Sequence, residues 1–130
     1  MFWLILSILF VVVVQNVQTT DCTVAQLNEL KTCYLTYLKP YGFDVIPTYN
    51  KYDSAQDKYR IHGWNGELYI CNAGQQLIKC ATDKLIDTCV TVDGFKYISG
   101  LTYGSSQEYV NDYLQMKYRC LGNGFKGTAY

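Results

Sequence analysis

Apolar residues run almost unbroken from Phe2 to Val14, with Ser7 the one interruption, and beyond them the pattern turns to a helical period. Leu27, Leu30, Tyr34 and Leu38 recur at three- and four-residue spacing beside Cys33, which predicts an amphipathic helix. Thr23 can cap its start, and Gln26 three residues on completes a capping box. Pro40 and Gly42 end it. From Tyr41 to Gly63 no period is sustained, because Pro47 breaks the segment and Tyr49, Tyr52, Tyr59 and His62 are mixed with Asn, Asp and Lys. A loop is expected there, with room for a short helix over 54–60. A further segment opens at Asn65 or Gly66 and carries a helical stripe at Leu77, Ala81, Leu85 and Cys89. Gly74 is expected to divide it into two helices. Around Asp93-Gly94, the runs Val90-Thr91-Val92 and Phe95-Lys96-Tyr97 alternate apolar and polar, so the stretch reads as a small hairpin or as a helix-to-loop turn. In the last helix Ser105 and Glu108 read as a second capping box. Tyr109, Tyr113, Met116 and Cys120 then follow at helical spacing, and Gly122 is the stop. The fold class expected is mainly α: a small helical domain cross-linked by disulfides, with at most one short β-hairpin.

The apolar run at the start changes how everything after it is read. As a helix, residues 2–14 would span about 20 Å, short of the roughly 30 Å core of a bilayer. Polar Gln15, Asn16, Gln18 and Thr19 follow at once, with Val17 and Thr19 as a cleavage pair. Residues 1–20 are therefore expected to be a secretory signal peptide and 21–130 one cysteine-rich helical domain, secreted and without a membrane span.

All six cysteines, Cys22, Cys33, Cys71, Cys80, Cys89 and Cys120, lie beyond that leader. An even number in an oxidising compartment predicts three disulfides. Cys22 and Cys33 on one helix would be about 15 Å apart, well beyond the roughly 7 Å that a disulfide tolerates. Cys80 and Cys89 fail in the same way if their helix is continuous. Ten of the fifteen possible pairings remain, and in each of them every bridge ties one element to another.

Composition adds exclusions. Eleven Lys and Arg balance eleven Asp and Glu, so no basic excess points to nucleic acid. A zinc site would need close cysteine pairs or histidines, and His62 is the one histidine. Any Ser-His-Asp or Cys-His chemistry would have to use it, yet no nucleophile elbow occurs, and the residue reads as a loop histidine beside Trp64. The carboxylate pairs Asp53/Asp57 and Asp83/Asp87 stand at i, i+4, but Lys58 adjoins the first and Lys84 falls within the second, so each reads as a solvated helix face. Gly122-Asn123-Gly124 follows a helix instead of opening one, so it does not make a phosphate loop. No catalytic residue, cofactor or metal is assigned, and no N-x-S/T triplet occurs.

Tyrosine is the one excess, with thirteen residues, all beyond position 20. Its rigid ring and polar tip suit recognition surfaces. Tyr34, Tyr37, Tyr109 and Tyr113 fall on helix stripes and are expected in the core or at its margin. Tyr41, Tyr49, Tyr52, Tyr59, Trp64 and Tyr103 fall in irregular stretches and are the candidates for a contact surface; tyrosine used as core filler is the other reading.

The leader, the leucine-bearing helix from Cys22 to Cys33, the even spacing Cys71-x8-Cys80-x8-Cys89 and the tyrosine-rich helix from Tyr109 to Cys120 together resemble a family. It is a nematode family of secreted cysteine-rich proteins known as a domain of unknown function. That resemblance implies a disulfide-linked, mainly helical extracellular domain and brings no functional residues. The run Cys33-x37-Cys71-x8-Cys80-x8-Cys89 is also similar to the later cysteine spacing of insect odorant-binding proteins, helical carriers of small apolar ligands. The close cysteine pair expected there is absent, and Cys120 has no counterpart. The function expected is a non-catalytic binding or interaction module with an extracellular protein partner; a carrier of a small apolar ligand in a helical pocket is the alternative.

Overall fold

A computed structural model describes residues 22–82 and 86–121. The proposed leader at 1–20, together with Asp83, Leu85 and Gly122-Asn123-Gly124, lies outside the described residues. The elements in chain order are α1 (Val24–Leu38), a 3-10 turn (Lys39–Tyr41), α2 (Tyr49–Arg60), α3 (Trp64–Thr82), a second 3-10 turn (Ile86–Cys89), α4 (Val92–Ser99) and α5 (Tyr103–Leu121). The expected mainly helical class is what the described residues adopt, with no strand among them.

Helix α1 begins as its sequence dictates. The Gln26 amide donates to Thr23 Oγ1 at 3.2 Å, and the Thr23 amide donates to Gln26 Oε1 at 2.9 Å, so two amides at the helix start are satisfied reciprocally. Its apolar stripe, Leu27, Leu30, Tyr34, Tyr37 and Leu38, is buried. This face packs on α3, on α4 and on the second 3-10 turn, while α5 closes the bundle over α2, α3 and α4.

Four expectations need correction. Within the stretch expected as a loop with a short helix over 54–60, the helix is longer: α2 has twelve residues and starts at Tyr49. Its first amide, Tyr49, donates to Ser105 Oγ at 2.8 Å, so a side chain of α5 satisfies the start of α2. Helix α3 runs unbroken through Gly74, where the absent side chain makes room for Met116 of α5. Asp93-Gly94 forms no hairpin: Thr91 Oγ1 accepts from the Gly94 amide at 3.0 Å, which opens α4 instead. Ser105 caps nothing at its own helix, because α5 starts two residues earlier, with Thr102 Oγ1 accepting from the Ser105 amide at 3.3 Å.

The disulfides pair Cys22 with Cys89, Cys33 with Cys80 and Cys71 with Cys120, at Cα separations of 5.1, 5.8 and 5.1 Å. They join the start of α1 to the second 3-10 turn, the middle of α1 to α3, and α3 to the end of α5. With sequence separations of 67, 47 and 49 residues, each removes about 4 kcal/mol of unfolded-chain freedom in the entropy picture.

Candidate functional site

The tyrosines form a continuous set of rings that starts in the core and reaches the surface where α2 turns into α3. At the centre, Tyr34 meets Phe95 edge-on at 4.6 Å, and Phe95 stacks on Tyr109 at 4.8 Å. Tyr52 stacks on Tyr109 at 5.3 Å and meets Tyr49 at 5.7 Å and Tyr41 at 5.9 Å. Tyr41 in turn meets Tyr59 at 5.6 Å, and Tyr59 stacks on Tyr69 at 4.1 Å with planes 6° apart.

Buried phenol hydroxyls need partners, and a polar chain running through the core supplies them for Tyr37 and Tyr52, while Tyr41 Oη is buried without one. The Gln56 amide nitrogen donates to Tyr52 Oη at 2.6 Å and to Tyr37 Oη at 3.2 Å, and the two hydroxyls lie 2.6 Å apart. Tyr52 donates to Asp112 Oδ2 at 3.0 Å. At the other end, Arg60 donates to Gln56 Oε1 at 2.7 Å and holds Asp53 and Asp57 at 2.8 and 2.7 Å. Tyr52 and Gln56 are both 0% exposed. Burial raises the Asp112 carboxyl above its usual range, although Tyr52 and Arg119 pull the other way. Asp87 is the opposite case. Burial pushes it up, but Tyr113, donating at 2.7 Å, and Lys117 at 3.0 Å hold it below the usual range.

The six contact candidates divide between these surroundings. Tyr52 and Tyr41 are buried and belong to the core, which corrects their assignment to the surface: α2 is a helix, and its inward face carries Tyr52. Tyr49 and Tyr59 are half-buried. Trp64 and Tyr103 are exposed, at 41% and 64%, but they sit at different ends of the bundle's helices. Tyr103 borders an open cleft of about 540 Å³ between the starts of α2 and α5, with Thr48, Asn50 and Glu108. Trp64 opens α3 at the α2–α3 corner, alongside Ile61 at 79% exposure and Tyr69 at 39%.

That corner is built by a close approach. A Cβ at Gly66 would collide with the Tyr59 carbonyl, so only glycine lets α3 cross this near the end of α2. The crossing sets Tyr69 flat against Tyr59, with the two hydroxyl oxygens 3.4 Å apart. The neighbouring Tyr59 hydroxyl, ahead of burial, pushes the Tyr69 hydroxyl up to about 12. His62 lies in the turn between the helices, exposed, with no hydrogen bond to its imidazole among the described residues.

Asp53 and Asp57 form an ion cluster with Arg60, in keeping with a solvated face. Asp87 has Tyr113 and Lys117 as partners, while Asp83 lies outside the described residues. Among the described residues, no cluster of three or more His, Cys, Asp or Glu is arranged to hold a metal ion, and no helix is long and apolar enough to cross a membrane. A cleft of about 360 Å³ lies between α1 and α3, lined by Tyr37, Pro40, Ala73, Leu77 and the Cys33–Cys80 bridge. Sequence reasoning missed Gln56, Asp112, Ile61 and Tyr69. Gln56 follows Tyr52 at i+4 and was legible once α2 was known to be a helix; Ile61 and Tyr69 carry no distinguishing pattern. Compared with known proteins, the chain matches no family model, no curated protein and no solved structure.

Proposed function

We propose that this is a secreted, non-catalytic binding module whose contact surface is the α2–α3 corner. The observation that carries the reading is Ile61, Trp64 and Tyr69, large apolar side chains exposed within one corner. They are held by a frame with three disulfides. Rigid aromatic anchors of this kind lose little conformational freedom on binding, which is why interfaces concentrate them. The disulfides suit an oxidising, extracellular setting. Tyr103 and the cleft beside it offer a smaller second contact.

The test is capture of extracellular partners by the intact protein, side by side with an Ile61→Asp/Trp64→Ala variant. A partner held by the wild type and lost by the variant, at unchanged melting temperature, supports the reading. An enzymatic activity abolished by His62→Ala overturns it.

The carrier reading has one observation in its favour: the α1–α3 cleft is mostly apolar, and its volume falls in the lower range of small-molecule sites. A Leu77→Trp variant would fill that cleft and abolish uptake of an apolar ligand while leaving the corner intact.

A further inference from the structure

We propose that Tyr59 and Tyr69 are an oxidative cross-linking site, poised to be joined into one dityrosine that locks α2 to α3. The two rings are stacked at 4.1 Å and 6°, and their hydroxyl oxygens are 3.4 Å apart. Because the oxygens are about as close as the ring centres, the rings overlie one another and point the same way. The carbons ortho to each oxygen therefore face each other across the stack. The pair is also reachable, since Tyr69 is 39% exposed. The other stacked pairs described, Tyr52–Tyr109 and Phe95–Tyr109, are buried.

The step balances with hydrogen peroxide acting through a haem peroxidase. Each phenol gives up one electron and one proton and becomes a phenoxyl radical. The radicals form one carbon–carbon bond between ortho positions, and the hydrogens on those carbons pass to the oxygens, restoring both phenols. The two electrons and two protons removed convert one hydrogen peroxide into two waters. The protein loses two hydrogens in all. Gly66 has a positioning part, because the helix crossing that creates the stack depends on it. The proposal rests on the secreted reading for the supply of oxidant in nature, but the chemistry can be tested without it.

The experiment treats the full-length, disulfide-bonded protein with a haem peroxidase and less than one equivalent of hydrogen peroxide, then maps cross-links by tryptic peptide mass spectrometry. Cleavage after Lys58 and Arg60 puts Tyr59 and Tyr69 on separate peptides, so their linkage is unambiguous. The expected product is a monomer lacking two hydrogens, with dityrosine fluorescence and a Tyr59–Tyr69 link, at least about tenfold more abundant than any cross-linked dimer, since the partners are already held together. Tyr69→Phe, which keeps the stacked ring and the fold, should abolish that product. Urea with the disulfides left intact should also abolish it, showing that the fold supplies the proximity. Dityrosine found only between chains, at exposed Tyr97, Tyr103 or Tyr118, overturns the proposal, as does its complete absence.

Discussion

Replacing Tyr52 by Phe removes a single oxygen from the middle of the buried polar chain, and the cost follows from what that oxygen touches. Tyr52 Oη donates to Asp112 at 3.0 Å, accepts from Gln56 at 2.6 Å and lies 2.6 Å from Tyr37 Oη. Gln56 and Tyr37 keep each other at 3.2 Å in the variant, so their loss is partial and about 1 kcal/mol. Asp112 loses its shorter donor and keeps Tyr49 at 3.4 Å, a loss of about 2 kcal/mol for a bond to a charged acceptor. The expected destabilisation is therefore about 3 kcal/mol, or roughly 15 °C in melting temperature for a domain of this size. Urea denaturation followed by circular dichroism measures it, with an unchanged slope showing that the unfolding reaction is the same. Tyr113→Phe is the control. Its hydroxyl donates to Asp87, which retains Lys117, in a half-exposed setting, so about 1 kcal/mol is expected. A Tyr52→Phe protein no less stable than Tyr113→Phe would refute the idea that the polar chain supports the core.

Asp112→Asn should make stability less dependent on pH. The raised carboxyl binds its proton more tightly folded than unfolded, so wild-type stability is full below the unfolded value of 3.8 and declines as pH rises through the folded value. The amide has no such titration, and a denaturation series across pH reads the difference. Asp87, held low, has the opposite sign: its contribution is present above 3.8 and fades as pH falls, and Lys117→Met should weaken it by well under 1 kcal/mol because the pair is part-exposed. Gly66→Ala should cost about 2 kcal/mol or more despite the better helix former, because the new methyl meets the Tyr59 carbonyl; thermal unfolding checks it. A small thiol should reduce Cys33–Cys80 first and Cys71–Cys120 last, since Cys80 is exposed while Cys71 and Cys120 are buried; alkylation and mass mapping over time give the order.

Helices α1 and α5 were legible because their buried stripes are long and regular, and Thr23 with Gln26 caps α1 as its sequence implies. Helix α2 was obscured because its buried face carries only Tyr52, Ala55 and Gln56, and the burial of Tyr52 and Gln56 depends on Tyr37 and Asp112 from distant elements. Local turn chemistry misled at Asp93-Gly94, where Thr91 was the stronger signal, and at Gly74, where glycine serves packing against Met116. Irregular sequence was equated with surface at Tyr41 and Tyr52, and the helix that carries Tyr52 inward overturned it. The disulfide pairing could be narrowed from spacing but needed the helix packing to be fixed, since each bridge spans elements far apart in the chain.

The most direct test of a disulfide-held module that works through its surface is native against denaturing mass spectrometry of the protein secreted from eukaryotic cells. The expected species is a chain beginning near Thr20, six hydrogens lighter than its reduced form for its three bridges, and bare in the native spectrum. A heavier native species that releases a lipid-sized molecule on denaturation would contradict it and make the protein a carrier.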